Sequence, residues 1–185
     1  IQKSFRTSDI NEVGDKTHNT FFEMLGNFSF GPVGSDDFSD FGKDGYFKRS
    51  AIHWGYEFVT EILEIPLERI KVSVFEGDEE VPFDEYSYKI WRQEIGIPEE
   101  KIIMGNRADN FWGPTGDEGP CGPTTEIYVD DIEVWNIVFN EFYSDQNKKI
   151  RKSEIPGVDT GMGFERLMMV WKVRTAFMKR IYSAV

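Results

Sequence analysis

The residues predict an α+β fold, an antiparallel sheet with helices to one side. Strand-like alternation recurs in several separate segments, two stretches carry apolar residues at helical spacing, and no strand-helix-strand alternation runs through the chain. With 185 residues, 39% of them hydrophobic, the chain suffices for one domain with a real core, so residues 1–185 are read as a single unit without internal repeats.

The elements follow in order. Gln2 to Arg6 and Thr20 to Phe30 alternate as two paired strands joined by a polar loop. Gly31 to Gly45 shifts to Gly, Ser and Asp, and Gly31 to Asp37 has turn chemistry. Phe47, Ala51, Trp54, Phe58 and Ile62 fall near helical spacing, with Lys48, Arg49, Glu57 and Glu61 off the stripe, which predicts a core-packed helix with His53 at the surface. Ile70 to Phe75 is a strand, and the acidic run Glu76 to Glu80 is a solvated loop, because nothing spaces its carboxylates to converge on a cation. Asp84 to Ile95 is a helix stopped by Gly96 and Pro98. Gly119 to Pro123 is a rigid turn, Thr124 to Val129 and Ile132 to Tyr143 are strands, and Glu165 to about Arg180 is the closing helix.

Composition narrows the function. A net charge of -12 argues against broad adhesion to a polyanion, although a local basic site is compatible with it. A single cysteine provides no disulfide framework, and Cys121 has no His or second Cys near it in sequence to make a thiol catalyst or a zinc site. With no apolar run of membrane-spanning length, these features point to a reducing cytoplasm.

The most informative stretch is Val158 to Leu167, in which an acid, two glycines and a Glu-Arg pair stand at the mouth of an apolar helix. Gly161 and Gly163 allow close approach of a ligand, and the planar cation of Arg166 can cover an aromatic base or clamp phosphate oxygens. A Gly-rich helix start with a surface ion pair is the other reading. Upstream, Arg6 and the segment His18 to Phe30 form a hairpin with a cation at one end and a flat Phe face at the other, which suits ATP. In that arrangement Arg6 meets the α-phosphate, His18 lies near the terminal phosphates, Phe22 stacks on adenine and Arg166 covers its other face.

Phe-Arg, then His-x-x-x-Phe, then Gly-x-Gly-x-Glu-Arg resemble motifs 2 and 3 of the class II aminoacyl-tRNA synthetases. The longer words Phe21 to Gly31, Asp109 to Trp112, Gly119 to Pro123, Val134 to Phe139 and the Asp159 segment, in this order, resemble the alanyl-tRNA synthetase family over roughly residues 2 to 170. The resemblance implies a class II synthetase-like sheet and an alanine-tRNA ligase activity. ATP and Mg2+ would be bound with alanine, and tRNA would enter only by its acceptor end. It implies Arg6 and Arg166 as catalytic residues, Arg6, His18, Phe22, Met24, Gly161, Gly163 and Arg166 as the ATP site, and Trp112, Asn136, Val138 and Asp159 as the alanine pocket. Asp159 would face the ammonium, although a helix N-cap fits its position as well.

The chain also departs from the family pattern. The motif 1 segment that usually precedes Phe5 is lacking, Thr17 stands where an arginine is usual, and the long excursion usual between Asp131 and Ile132 is absent, while Gly31 to Gly45 carries extra residues. The expectation is therefore a partial catalytic domain without the family's helical tRNA-binding, editing and C-terminal domains, with no zinc in this segment and an oligomeric state left open. The alternatives are a non-catalytic module that keeps the ATP and alanine pockets, or transfer of the activated amino acid to a carrier other than tRNA.

Overall fold

The computed structural model describes residues 1–7, 10–13, 15, 17–32, 40–41 and 45–171. A sheet of nine strands runs through it: β1 (Gln2–Phe5), β2 (Phe21–Leu25), β3 (Phe28–Phe30), β4 (Ile70–Phe75), β5 (Ile102–Gly105), β6 (Phe111–Trp112), β7 (Gly119–Val129), β8 (Ile132–Ser144) and β9 (Ile150–Gly163). The order is β1-β2-β9-β8-β7-β4-β5, with β3 paired to β9 and β6 to β7. Every pair is antiparallel except β4 and β5, which are parallel. Between these two lies α2 (Glu85–Lys89), continued by a π-helical turn, Ile90–Ile95. One strand-helix-strand unit is therefore present, and the α+β sheet is mixed, not wholly antiparallel. Nothing in the sequence marked β5, which has four residues, two of them, Ile103 and Met104, exposed.

Other boundaries are corrected by close backbone contacts. The expected strand Thr20 to Phe30 breaks at Gly26, where a Cβ would stand 2.5 Å from the carbonyl oxygen of Thr160. Gly119 to Pro123 is not a turn but the start of β7, paired with the end of β8. Gly122 allows this, because a Cβ there would fall 1.8 Å from the Phe139 carbonyl oxygen. β9, the longest strand, was not anticipated; Gly157, Gly161 and Gly163 dilute its alternation. Asp159 sits inside it, well before the last described helix begins at residue 164, so the N-cap reading of Asp159 is excluded. α4 is described over residues 164–171, and the rest of the expected closing helix and most of the Gly31 to Gly45 loop lie outside the described residues.

The two faces of the sheet do different work. One is covered by α1 (Lys48–Glu57), which runs on as a π-helical turn, Phe58–Ile62, and by α2. Ile127, Ile137, Phe139, Val72, Val74 and Trp91 are buried in this core. The helix presents Phe47, Ala51, Ile52, Gly55 and Val59 to it, whereas Trp54 and Ile62 are exposed, so the expected aromatic stripe is rotated. Gly55 allows the close approach: a Cβ there would already touch the Cδ1 atoms of Ile127 and Ile137 at 3.3 Å. The β7–β8 hairpin turns through Asp130 and Asp131, both at positive φ (52° and 64°), as a tight two-residue turn requires. Arg69 and Lys71 pin those aspartates at 2.5 and 2.6 Å. The acidic loop is likewise tied down, by Arg107 pairing with Asp78 and Glu80. His53 is at the surface, 3.0 Å from Glu94. Among the described residues no helix is long and apolar enough to cross a membrane.

Lys48, expected off the apolar stripe, is buried. Its Nζ lies 2.5 Å from both Asp84 Oδ1 and Glu141 Oε1, with side-chain exposures of 3%, 1% and 9% for Lys48, Asp84 and Glu141. Burial alone would lower the lysine pKa, but the two carboxylates outweigh it and raise it. Asp84 also caps α2, accepting from the Ser87 N–H at 3.2 Å, so the triad fastens α1, α2 and β8 to one another. Lys48→Ala strands two buried carboxylates and is expected to destabilise the fold by about 3–5 kcal/mol, read as a lowered urea midpoint. A loss under about 1 kcal/mol, the range of an exposed pair, would show the triad to be solvated.

Candidate active site

The sheet face away from α1 forms the wall of a cavity of about 610 Å³. Its side chains follow from the period-two geometry of strands. Asn136 and Val138 of β8 share a face, as do Asp159, Gly161 and Gly163 of β9, and Met24 lies across from Gly163. In one transverse row stand Glu126, Asn136 and Gly161; in the next stand Thr124, Val138, Asp159 and Phe28. The intervening Ile137, Thr160 and Met162 are buried.

Every sequence-predicted site residue lines this one cavity: Arg6, His18, Phe22, Met24, Trp112, Asn136, Val138, Asp159, Gly161, Gly163 and Arg166. At Gly161 the floor lies against Met24, whose sulfur would stand 2.9 Å from a Cβ there. The cavity also recruits residues that were not singled out. Glu165 accepts from the Glu23 N–H through both carboxylate oxygens at 3.1 Å, which docks the β1–β2 hairpin on α4. It belongs to the Glu-Arg pair, so that motif held the signal. Glu133 had none: it reaches the cavity through a register shift in β8, where Ile127 faces Trp135 but Tyr128 faces Glu133. The extra residue, Val134, turns Glu133 onto the same face as Asn136.

The cations cluster toward one end. The Arg6 guanidinium lies 5.3 Å from the Phe22 ring centroid in a cation–π contact. Arg166 donates from Nε to the Thr17 carbonyl oxygen at 3.0 Å and pairs through Nη1 with Glu133 Oε2 at 3.0 Å. His18 stands between Asp15, 2.7 Å from Nδ1, and Glu12, 3.2 Å from Nε2. The N–H of Thr17 and the His18 ring and N–H hold the Asp15 carboxyl well below the usual range. Cys121 is buried, which raises its thiol pKa.

The other end is anionic. Asp159 is half-buried, which raises its carboxyl pKa, and its side chain has no hydrogen-bond partner among the described residues. Beside it, Asn136 donates from Nδ2 to Glu126 Oε1 at 3.3 Å, while its Oδ1 is buried without a partner. Trp112 and Val138 add apolar wall. Such a cavity can take a ligand that is anionic and aromatic at one end and carries a small ammonium group at the other.

Comparison with known proteins supplies the family. The family of class II tRNA synthetases of the alanine type, "tRNA synthetases class II (A)", matches residues 1–132. The chain is 42% identical over 212 residues to the alanine-tRNA ligase of Rubrobacter xylanophilus, covering 100% of this chain and 22% of that protein. It is 42% identical to that of Petrotoga mobilis, covering 91% and 20%, and 43% identical to that of Borreliella afzelii, covering 90% and 29%. The chain thus spans less than a third of the length of these relatives. With the family matched over more than half of its residues, the chain belongs to the class II tRNA synthetases, in their alanine branch.

Proposed function

We propose that this chain carries the amino-acid activation step of an alanine-tRNA ligase, joining alanine to ATP as alanyl-adenylate and then passing alanine to the terminal adenosine of its tRNA. The observation that carries the reading is the gathering of all the expected residues in one cavity, with cations toward one end and Asp159 and Asn136 toward the other. Its volume of about 610 Å³ falls in the ordinary range of small-molecule sites.

Activation needs no strong base. The alanine carboxylate attacks the α-phosphorus, an O–P bond forms, and the bond to pyrophosphate breaks with its electron pair. Catalysis therefore rests on in-line positioning and on cations that meet charge on the phosphoryl oxygens. In this reading Arg6 meets the α-phosphate and leaves the Phe22 ring to the adenine, His18 serves the terminal phosphates, and Arg166 covers the base while Glu133 holds its guanidinium. Asp159 pairs with the ammonium, and Trp112 and Val138 enclose the methyl group. One methyl is worth only ~1–3 kcal/mol, so glycine and serine are expected to be misactivated. Among the described residues no three His, Cys, Asp or Glu side chains converge on a metal site. The Mg2+ that the family uses in general would neutralise charge on the nucleotide phosphates, and no step here depends on its position.

Arg6→Ala and Arg166→Ala are each expected to lower alanine-dependent ATP–pyrophosphate exchange by about two orders of magnitude, near 3 kcal/mol, while circular dichroism stays unchanged. Exchange within a few-fold of the parent would overturn the assignment. Asp159→Asn is expected to raise the KM for alanine far more than that for ATP, because it removes charge facing the ammonium and touches no phosphate; equal losses would make Asp159 a purely structural residue. With a net charge of -12, this chain is expected to bind tRNA weakly at physiological salt. Saturable submicromolar binding in a filter assay at about 150 mM salt would reveal a basic groove.

A further inference from the structure

Behind the amino-acid end of the cavity lies a buried polar chain that the activation step does not use. Glu126 is 5% exposed. Ser73 Oγ donates to its Oε2 at 3.1 Å, Tyr128 Oη donates to the same oxygen, and Asn136 Nδ2 donates to Oε1 at 3.3 Å. Ser73 in turn accepts from Asn110 Nδ2 at 2.7 Å. Asn110 is fully buried, also donates to Thr124, and ends helix α3 (Arg107–Asn110), two residues before Trp112. Glu126 thus touches one wall of the cavity directly and the approach to another through two intermediates.

All three groups around Glu126 are donors, an arrangement that suits a carboxylate able only to accept. That fixes the Asn136 amide, whose Nδ2 must face Glu126, and it leaves Oδ1 as a buried acceptor that no group among the described residues satisfies. A buried acceptor without a donor calls for an explanation, and an ammonium group supplies one.

We propose that Glu126 is a positioning residue for the amino-acid end: it holds the Asn136 amide so that Oδ1 accepts from the ammonium of the substrate, and through Ser73 and Asn110 it steadies the segment bearing Trp112. The proposal rests on the reading of the cavity as an alanine and ATP site. It has a signature in pH. Burial and the nearby Glu133 push the Glu126 carboxyl up to about 7, against the hydrogen bonds of Tyr128 and Ser73, with Asp109 on α3 adding to the rise. Above that value the carboxylate accepts from Asn136. Below it the protonated acid becomes a donor, the amide turns over, and Nδ2 meets an ammonium that needs an acceptor.

The test is alanine-dependent exchange from pH 6.5 to 8.5, with the KM for alanine and for ATP measured at each pH. In the parent the KM for alanine is expected to climb as pH falls below about 7. Glu126→Gln should raise the alanine KM about tenfold at pH 8, the scale of one charge-assisted hydrogen bond, and flatten its pH dependence, with the ATP KM within about twofold of the parent. Tyr128→Phe removes a donor that favours the carboxylate, so it should move the alanine midpoint to higher pH. That variant keeps the test open if Glu126→Gln does not fold. An unchanged alanine profile in both variants, or alanine and ATP constants rising together, would overturn the role of Glu126 and leave the activation reading standing. A parent chain with no alanine-dependent exchange would instead overturn the activation reading itself, and this inference with it.

Discussion

The register of the β7–β8–β9 ladder is the constraint on which the rest depends. Side chains alternate across a strand, so the same three strands must send Ile127, Ile137 and Met162 toward the core and Glu126, Asn136 and Gly161 toward the cavity. A slip of one residue would exchange the two sets, burying the acid under α1 and exposing the isoleucines to water. Two devices hold the register. The Asp130–Asp131 turn, clamped by Arg69 and Lys71, fixes where β8 begins, and Gly122 leaves out a side chain that would collide with the Phe139 carbonyl and force β7 from β8.

The cavity is largely self-neutralised. Arg166 faces Glu133, His18 faces Asp15 and Glu12, and Arg6 lies against an aromatic ring. Pairing of this kind keeps charged groups near a concave surface without leaving them desolvated and alone. It also means that an anionic ligand gains the difference between its own contacts and those it replaces. At the other end burial lifts the carboxyl pKa values of Asp159 and Glu126, so one positive charge there is favourable.

Most of the site was legible because its residues fall into short words with distinctive chemistry. Arg6, His18 and Phe22 follow a Phe-Arg and His-x-x-x-Phe pattern, and Gly161, Gly163 and Arg166 stand in one compact segment. The helices near Phe47 and Asp84 showed in their spacing, and the strands at Ile70, Thr124 and Ile132 in their alternation. What escaped was set by long-range contacts. β9 is a strand because β8 and β3 pair with it, whatever its glycines and proline suggest locally. Gly119 to Pro123 has turn residues, yet serves as ladder because Phe139 needs the space above Gly122. Lys48 looked like a surface residue, since no local pattern reveals that Asp84 and Glu141 await it in the interior. Glu133 was hidden by an extra residue in β8 that no periodicity announces.

The β1–β2 hairpin has a consequence for how the molecule moves. Among the described residues β1 pairs with β2 alone, and β2 meets β9 only at Met24 and Leu25, whereas β8 and β9 pair from Trp135 to Ser144. Among the described residues polar contacts tie it to α4, Glu165 to the Glu23 amide and Arg166 to the Thr17 carbonyl, and its Phe5 and Phe21 are exposed. A unit held so lightly opens at a free energy well below that of global unfolding. Its amides would therefore exchange with solvent early, and those of β7 and β8 late. A nucleotide spanning Arg6 and Arg166 would bridge the hairpin to α4, so the ligand would itself supply much of the cohesion that this edge of the sheet otherwise lacks.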